Sequence, residues 1–253
     1  MLKKNTKFST LIISFIISTS ISVLTYLGFV STGGIEGTSL ANRIFMLLGG
    51  NFSSGGYIQF LTFLAFFWSL FEILMKLKNI KKQKHSFREK ILPTNEKHLL
   101  LAGDVMNIQV RVLELEKKRK KSLLTNIIKK ACMKFRSTKS ISEMIEIISI
   151  QTDIDKEKSE SDQSNIRYLT WVIPSIGFIG TVLGISQALQ VAGSGDMDLI
   201  TSTLGVAFDT TLIALILSIV VMWFFHELQE ETDKLHAGIK EYVIENLVNK
   251  VEL

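Results

Sequence analysis

Four stretches of this sequence, residues 11–30, 57–75, 168–191 and 200–225, are apolar over the length of a bilayer-crossing helix, and little else about the chain restricts its fold as strongly. A hydrocarbon core about 30 Å thick takes roughly 20 residues of helix at about 1.5 Å each. The chain of 253 residues is 47% hydrophobic with a mean hydropathy of +0.29, yet 21% of it is charged, so the two compositions must be segregated along the sequence. The first and third stretches carry no charge, the second carries Glu72 and the fourth Asp209. The expectation is an all-α, polytopic membrane helix bundle with four transmembrane helices. Nothing calls for strands: no run of alternating β-branched residues lies outside the spans, and proline occurs only at Pro93 and Pro174.

The basic start, MLKKNTK, could open a secretory signal. However, the apolar run that follows outlasts the roughly 7 to 15 residues of a signal core, and STGGIEG offers no small-residue cleavage pattern, so the first span is expected as a retained anchor. Lysine and arginine set the orientation. Residues 76–167 hold 22 of the 29, three precede residue 11, and the link 31–56 holds only Arg43, which puts both termini and the long loop in the cytoplasm. The net charge of +5 and the pI near 9.2 are then mainly a topology signal. Nucleic-acid binding is not expected, despite the basic run at residues 116–121.

Cys132 is the only cysteine, so an intrachain disulfide and a thiolate metal cluster are both excluded. The four histidines show no ligand spacing, no enzyme motif is present, and no cofactor or metal is expected. The link 31–56 is rich in Gly and Ser and contains one short apolar patch, RIFMLLGG, expected as an amphipathic turn of helix at the outer surface. In the long loop Val105, Ile108, Val112 and Leu115, then Leu123 and Ile127, recur at helical steps, which predicts helices. The tail keeps Leu228, Leu235, Ile239, Val243 and Leu247 at the same spacing, so the fourth span should continue as one long helix. Its seven acidic residues and three lysines are opposite in balance to the basic loop, which suits packing of tail against loop as well as a solvated face.

In the third span Gly177, Gly180, Thr181, Gly184 and Ala188 share one face. In the fourth, Thr203, Ala207, Thr211, Ala214 and Ser218 form a similar small, partly hydroxylated stripe. Small residues on one face let another backbone come close, so a plain packing seam explains these stripes by itself. The turn between the spans is short, and Thr181 and Thr211 are expected at nearly the same depth. In a ring of subunits with these faces inward they would form belts of hydroxyls, able to hold water or replace part of an ion's hydration shell without a fixed charge. The plainer alternative for each threonine is a bond to its own carbonyl at i−4. Asp209 is costly at this depth and lies about 200° around the helix from Thr211, so it is expected protonated or hydrogen-bonded at a contact with a neighbouring helix or subunit, with ion relay the lesser role. Glu72, one turn before Lys76, is expected as a snorkelling pair with it.

The segments IPSIGFIGTVLGI and TSTLGVAFDTTLIALILSIVV together resemble the two pore helices of the MotA/TolQ/ExbB proton-channel family. The resemblance covers residues 168–225. Four spans with a short external link look like the flagellar-stator branch, and the G-T-V core like the TolQ/ExbB branch. The resemblance implies the pore-forming subunit of an ion-driven motor in the bacterial cytoplasmic (inner) membrane. It would be a homopentamer around a dimer of a single-span partner, similar to MotB, TolR or ExbD, whose intramembrane aspartate carries the proton; sodium is the other ion a hydroxyl belt can serve. By the same resemblance Thr181 and Thr211 occupy the pore-threonine positions, with Gly177, Gly184, Ala207 and Ala214 beside them on the pore-lining faces. Asp209 departs from the pattern, and this chain could therefore contribute a carboxylate of its own. The expected organisation is peripheral membrane helices in 1–75, a basic cytoplasmic helical loop in 76–167, the pore pair in 168–225 and a cytoplasmic helical tail in 226–253. A non-conducting membrane scaffold is the competing function; secondary transport is disfavoured because the halves show no repeat and no broken helix.

Overall fold

A computed structural model describes residues 2–34, 37–89, 91–93, 99–117 and 122–252. Among these residues there are eight α-helices: α1 (Leu2–Ser31), α2 (Leu40–Leu47), α3 (Tyr57–His85), α4 (Ala102–Lys117), α5 (Leu123–Thr138), α6 (Ile141–Asp162), α7 (Ser164–Val191) and α8 (Met197–Asn246). No strand is found among the described residues, which pair outside helices at one isolated bridge, Leu100 with Val251. Four segments, Phe8–Ser31, Tyr57–His85, Ile141–Val191 and Met197–Lys250, are long and apolar enough to cross a membrane. The chain is an all-α, multi-pass membrane protein. The basic run at 116–121 lies outside the described residues from position 118 onward.

The chain divides into two compact units. The first comprises Met1–Met75 and Ser164–His226, the second Lys76–Gln163 and Glu227–Leu253. In the first unit α1 has the polarity of a soluble helix turned outward: Thr10, Ser14, Ser18 and Thr25 are buried, while Phe8, Phe15, Ile16 and Leu24 are exposed. Several of the hydroxyls are satisfied within the helix, Ser14 donating to the carbonyl of Thr10, Thr19 to Phe15 and Ser20 to Ile16, while Ser18 Oγ is buried without a partner. That is the arrangement a helix needs where water is absent.

Residues 43–47 of the patch RIFMLLGG are helical, as part of α2, which is capped by the Ser39 hydroxyl accepting from the Asn42 N–H at 3.1 Å. Asn42 is buried and ties the link together. Its side-chain amide donates to the carbonyls of Gly34 and Gly37 at 2.9 and 2.6 Å and accepts from the Thr32 hydroxyl at 2.9 Å. The next residue on the helix is Arg43.

Glu72 does not snorkel. It is buried, with Oε2 accepting from the Asn165 amide at 3.0 Å and Oε1 buried without a hydrogen-bond partner. Asn165 lies at the start of α7, so the Glu72 carboxylate, at 5% exposure, takes this bond from a donor inside the bundle.

The second unit is built on α4, α5 and α6. Ser122 caps α5 in a reciprocal capping box with Thr125, and Ser140 caps α6 by accepting from the Glu143 N–H. Of the predicted apolar positions, Val105, Ile108, Val112 and Ile127 are buried and Leu115 and Leu123 half-buried; Leu124, Ile128, Ala131, Phe135, Met144 and Ile148 are buried as well. The acidic, Ser-rich stretch before the third span is helical; α6 runs to Asp162, and a single non-helical residue, Gln163, separates it from α7. The tail is the end of α8, and Leu228, Leu235, Ile239, Val243 and Leu247 are all buried. Of the two roles open to it, packing against the loop is the observed one. Lys84 reaches Glu231 at 2.7 Å, Lys156 reaches Asp233 at 3.1 Å, and Lys240 donates to Ser149 at 2.9 Å.

Candidate functional site

The candidate residues lie on α7 and α8, which a short turn joins. Gly195 closes the turn in the left-handed region (φ 72°), and the Asp196 carboxylate caps α8 by accepting from the Leu199 N–H at 3.0 Å. The two helices meet through small residues. A β-carbon added at Gly177 would collide with the Ala214 methyl and sit 3.2 Å from the Thr211 α-carbon; one at Gly184 would collide with the Ala207 methyl, 3.0 Å from its α-carbon. Gly177, Gly184, Ala207 and Ala214 are all buried. The structure therefore places these four in the seam between α7 and α8, where they bring the two backbones together.

That close approach sets the threonines. The Thr211 hydroxyl donates across the seam to the Gly177 carbonyl at 2.8 Å, and the Thr181 hydroxyl contacts the Thr211 hydroxyl directly, with the Ala207 carbonyl 3.2 Å away. The i−4 bond from Thr181 to Gly177 is the longest of the set at 3.5 Å, so the interhelical bonds dominate. Both residues are half-buried, at the edge of the seam. Thr210 is buried and bonds the Ala207 carbonyl of its own helix at 2.7 Å. Two hydroxyls, thirty positions apart in sequence, thus form one polar spot beside exposed apolar side chains such as Phe178 and Val182.

Asp209 has a partner that the sequence reading did not assign. Arg43 Nη1 donates to Oδ2 at 2.5 Å and Nη2 to Oδ1 at 2.7 Å, a two-pronged ion pair between α2 and α8. Asp209 is 3% exposed, whereas the Arg43 side chain is about half exposed (53%). The carboxylate is thus buried and doubly bonded at a contact with a neighbouring helix, on a different face from Thr211. A signal for this was present: Arg43 is the single basic residue of the link and Asp209 the single charge of its span. Among the described residues no group of three His, Cys, Asp or Glu side chains is placed to hold a metal ion.

A sequence model described as the MotA/TolQ/ExbB proton channel family matches residues 119–241, a segment that includes every candidate residue on α7 and α8. No curated protein and no solved structure matches the chain.

Proposed function

We propose, from the match of residues 119–241 to the MotA/TolQ/ExbB proton channel family, that the chain is the pore-forming subunit of a proton-driven membrane motor. In this reading five copies surround a dimer of a single-span partner, similar to MotB, TolR or ExbD, whose membrane aspartate carries the proton. The complex sits in a bacterial inner membrane with both termini in the cytoplasm, as the distribution of lysine and arginine favours. Residues 168–225 form the pore pair and residues 1–75 the peripheral helices.

The observation that carries the reading is the contact between the Thr181 and Thr211 hydroxyls at the half-buried edge of the seam. Hydroxyls both donate and accept, so repeated around a ring they would offer an ion or its water a polar path with no fixed charge to trap it. Gly177, Gly184, Ala207 and Ala214 line that path indirectly, by setting how closely the two pore helices lie. Asp209, held at both oxygens by Arg43, acts as the interface carboxylate rather than the proton carrier. One charge crossing 100 mV releases about 2.3 kcal/mol, enough for small repacking steps taken repeatedly. Sodium is the alternative ion.

The seam geometry would equally serve a non-conducting scaffold, and ion flux separates the two. In vesicles carrying the complex with its partner, changing Thr181 and Thr211 together to Val should remove ion-driven flux and function while leaving assembly intact. Normal flux in the double variant would overturn the pore assignment and favour the scaffold.

A further inference from the structure

In the second unit a cleft of about 200 Å³ lies among α3, α6 and α8, and two buried polar atoms within its lining have no hydrogen-bond partner: Asp155 Oδ2 and His236 Nδ1. Asp155 is 8% exposed and His236 2%. The other histidine nitrogen is engaged. Ser159 Oγ lies 3.0 Å from His236 Nε2 and donates its own proton to the Asp155 carbonyl at 2.9 Å, so Nε2 must be the donor in that contact. The network therefore assigns the neutral Nε2–H tautomer and leaves Nδ1 as a bare acceptor. Two buried acceptors without a donor between them mark a site that lacks a positive charge or a proton.

A metal ion fits poorly there. The site supplies two ligands, no group of three His, Cys, Asp or Glu is placed for a metal among the described residues, and Lys76 and Lys158 line the same cleft. A proton fits, because Nδ1 can take one where no cation needs room.

We propose that His236 and Asp155 form a proton-binding switch, and that protonation of His236 Nδ1 loosens the packing of α6 on α8. Burial holds His236 below its ordinary range, as desolvation outweighs the attraction of Asp155, Asp233 and Glu160 and adds to the repulsion of Lys156. Asp162, Lys158 and Lys76 are the other charged groups facing the cleft. The sign follows from linkage. An opened segment, with His236 in water, binds the proton more readily than the closed one, so the closed packing is intact above about pH 6.5 and loses ground as pH falls below it, until His236 itself protonates. The switch belongs to this unit alone and stands whether or not the chain conducts ions.

The test uses the full chain in nanodiscs with labelled histidine. Nitrogen shifts should show His236 as the Nε2–H tautomer at pH 7.5, titrating below the exposed histidine range, and amide exchange in residues 155–163 and 228–239, divided by the intrinsic amide rate at each pH, should rise severalfold between pH 7.5 and 5.5. His236→Gln should keep the fold and abolish that rise. Asp155→Asn, which removes the nearby negative charge and keeps the shape, should move the midpoint of both signals to lower pH, and provides the test if the glutamine variant does not fold. A His236 that titrates like an exposed imidazole, exchange that is flat with pH after division by the intrinsic rate, or a corrected rise that survives in His236→Gln would overturn the proposal.

Discussion

An aspartate inside an apolar helix requires a counter-charge or a proton, and Arg43 supplies the first with two short bonds. Breaking such a pair from one side leaves a buried charge stranded, which costs about 3–5 kcal/mol when both partners are fully buried and less here because Arg43 is half exposed. Arg43→Gln should therefore lower the unfolding midpoint of the purified complex more than Asp209→Asn does, and the double variant should be more stable than the sum of the two losses predicts. Additive losses in that cycle would mean that the pair contributes no coupling. Cys132 makes a second residue-scale case. It is buried, and desolvation raises its thiol to about 12, so the reactive thiolate is scarce at neutral pH. A maleimide at pH 7.5 should leave it unmodified in the folded protein and label it once the chain is denatured; rapid labelling of the native form would contradict the placement. Pairings such as Arg43 with Asp209 were legible in part, as two isolated charges. Their meeting across 166 positions was not, because local periodicity says nothing about which helix covers which. Glu72 shows the same limit, since its hydrogen-bond partner Asn165 lies 93 positions away in sequence.

At the scale of elements, α7 and α8 depend on having nothing where a side chain would be. Gly177→Leu or Gly184→Leu forces four carbons into a contact already closed to one, and overpacking of this kind costs roughly 1–3 kcal/mol or displaces the helices. Either variant should separate the Thr181 and Thr211 hydroxyls, which a cysteine pair at 181 and 211 would read as a fall in crosslinking yield; an unchanged yield would show that the seam has slack. The four spans, the helical tail and the apolar faces of α4 and α5 were legible because length and 3.6-residue periodicity are local properties. The acidic stretch before the third span carried no such apolar stripe. Its helix buries a face at ordinary helical spacing, but three of the positions on it, Gln151, Thr152 and Asp155, are polar and read as surface residues in sequence.

At the scale of the whole molecule, the apolar surface that remains exposed bears on assembly. Phe178, Ile179 and Leu189 on α7 and Phe208, Ile216 and Ile219 on α8 are all more than half exposed or close to it in the single chain. Lipid can cover such side chains, and so can further subunits. The mass and composition of the complex extracted gently from native membranes should be that of five copies with two of a single-span protein bearing a membrane aspartate. A monomer or dimer with no such partner would shift the reading to a scaffold.

The outward-turned polarity of α1 has a further consequence, for biogenesis. The hydroxyls of Ser14, Thr19, Ser20 and Thr25 on this helix already donate to carbonyls of the same helix, and many of the side chains around them are apolar. Because α1 precedes α3, α7 and α8 in the chain, it can enter the lipid before them and wait there, since those hydroxyls do not depend on helices that have yet to be made. Asp209, by contrast, belongs to a span that follows α2 in the chain, and arrives when the arginine that neutralises it is already made.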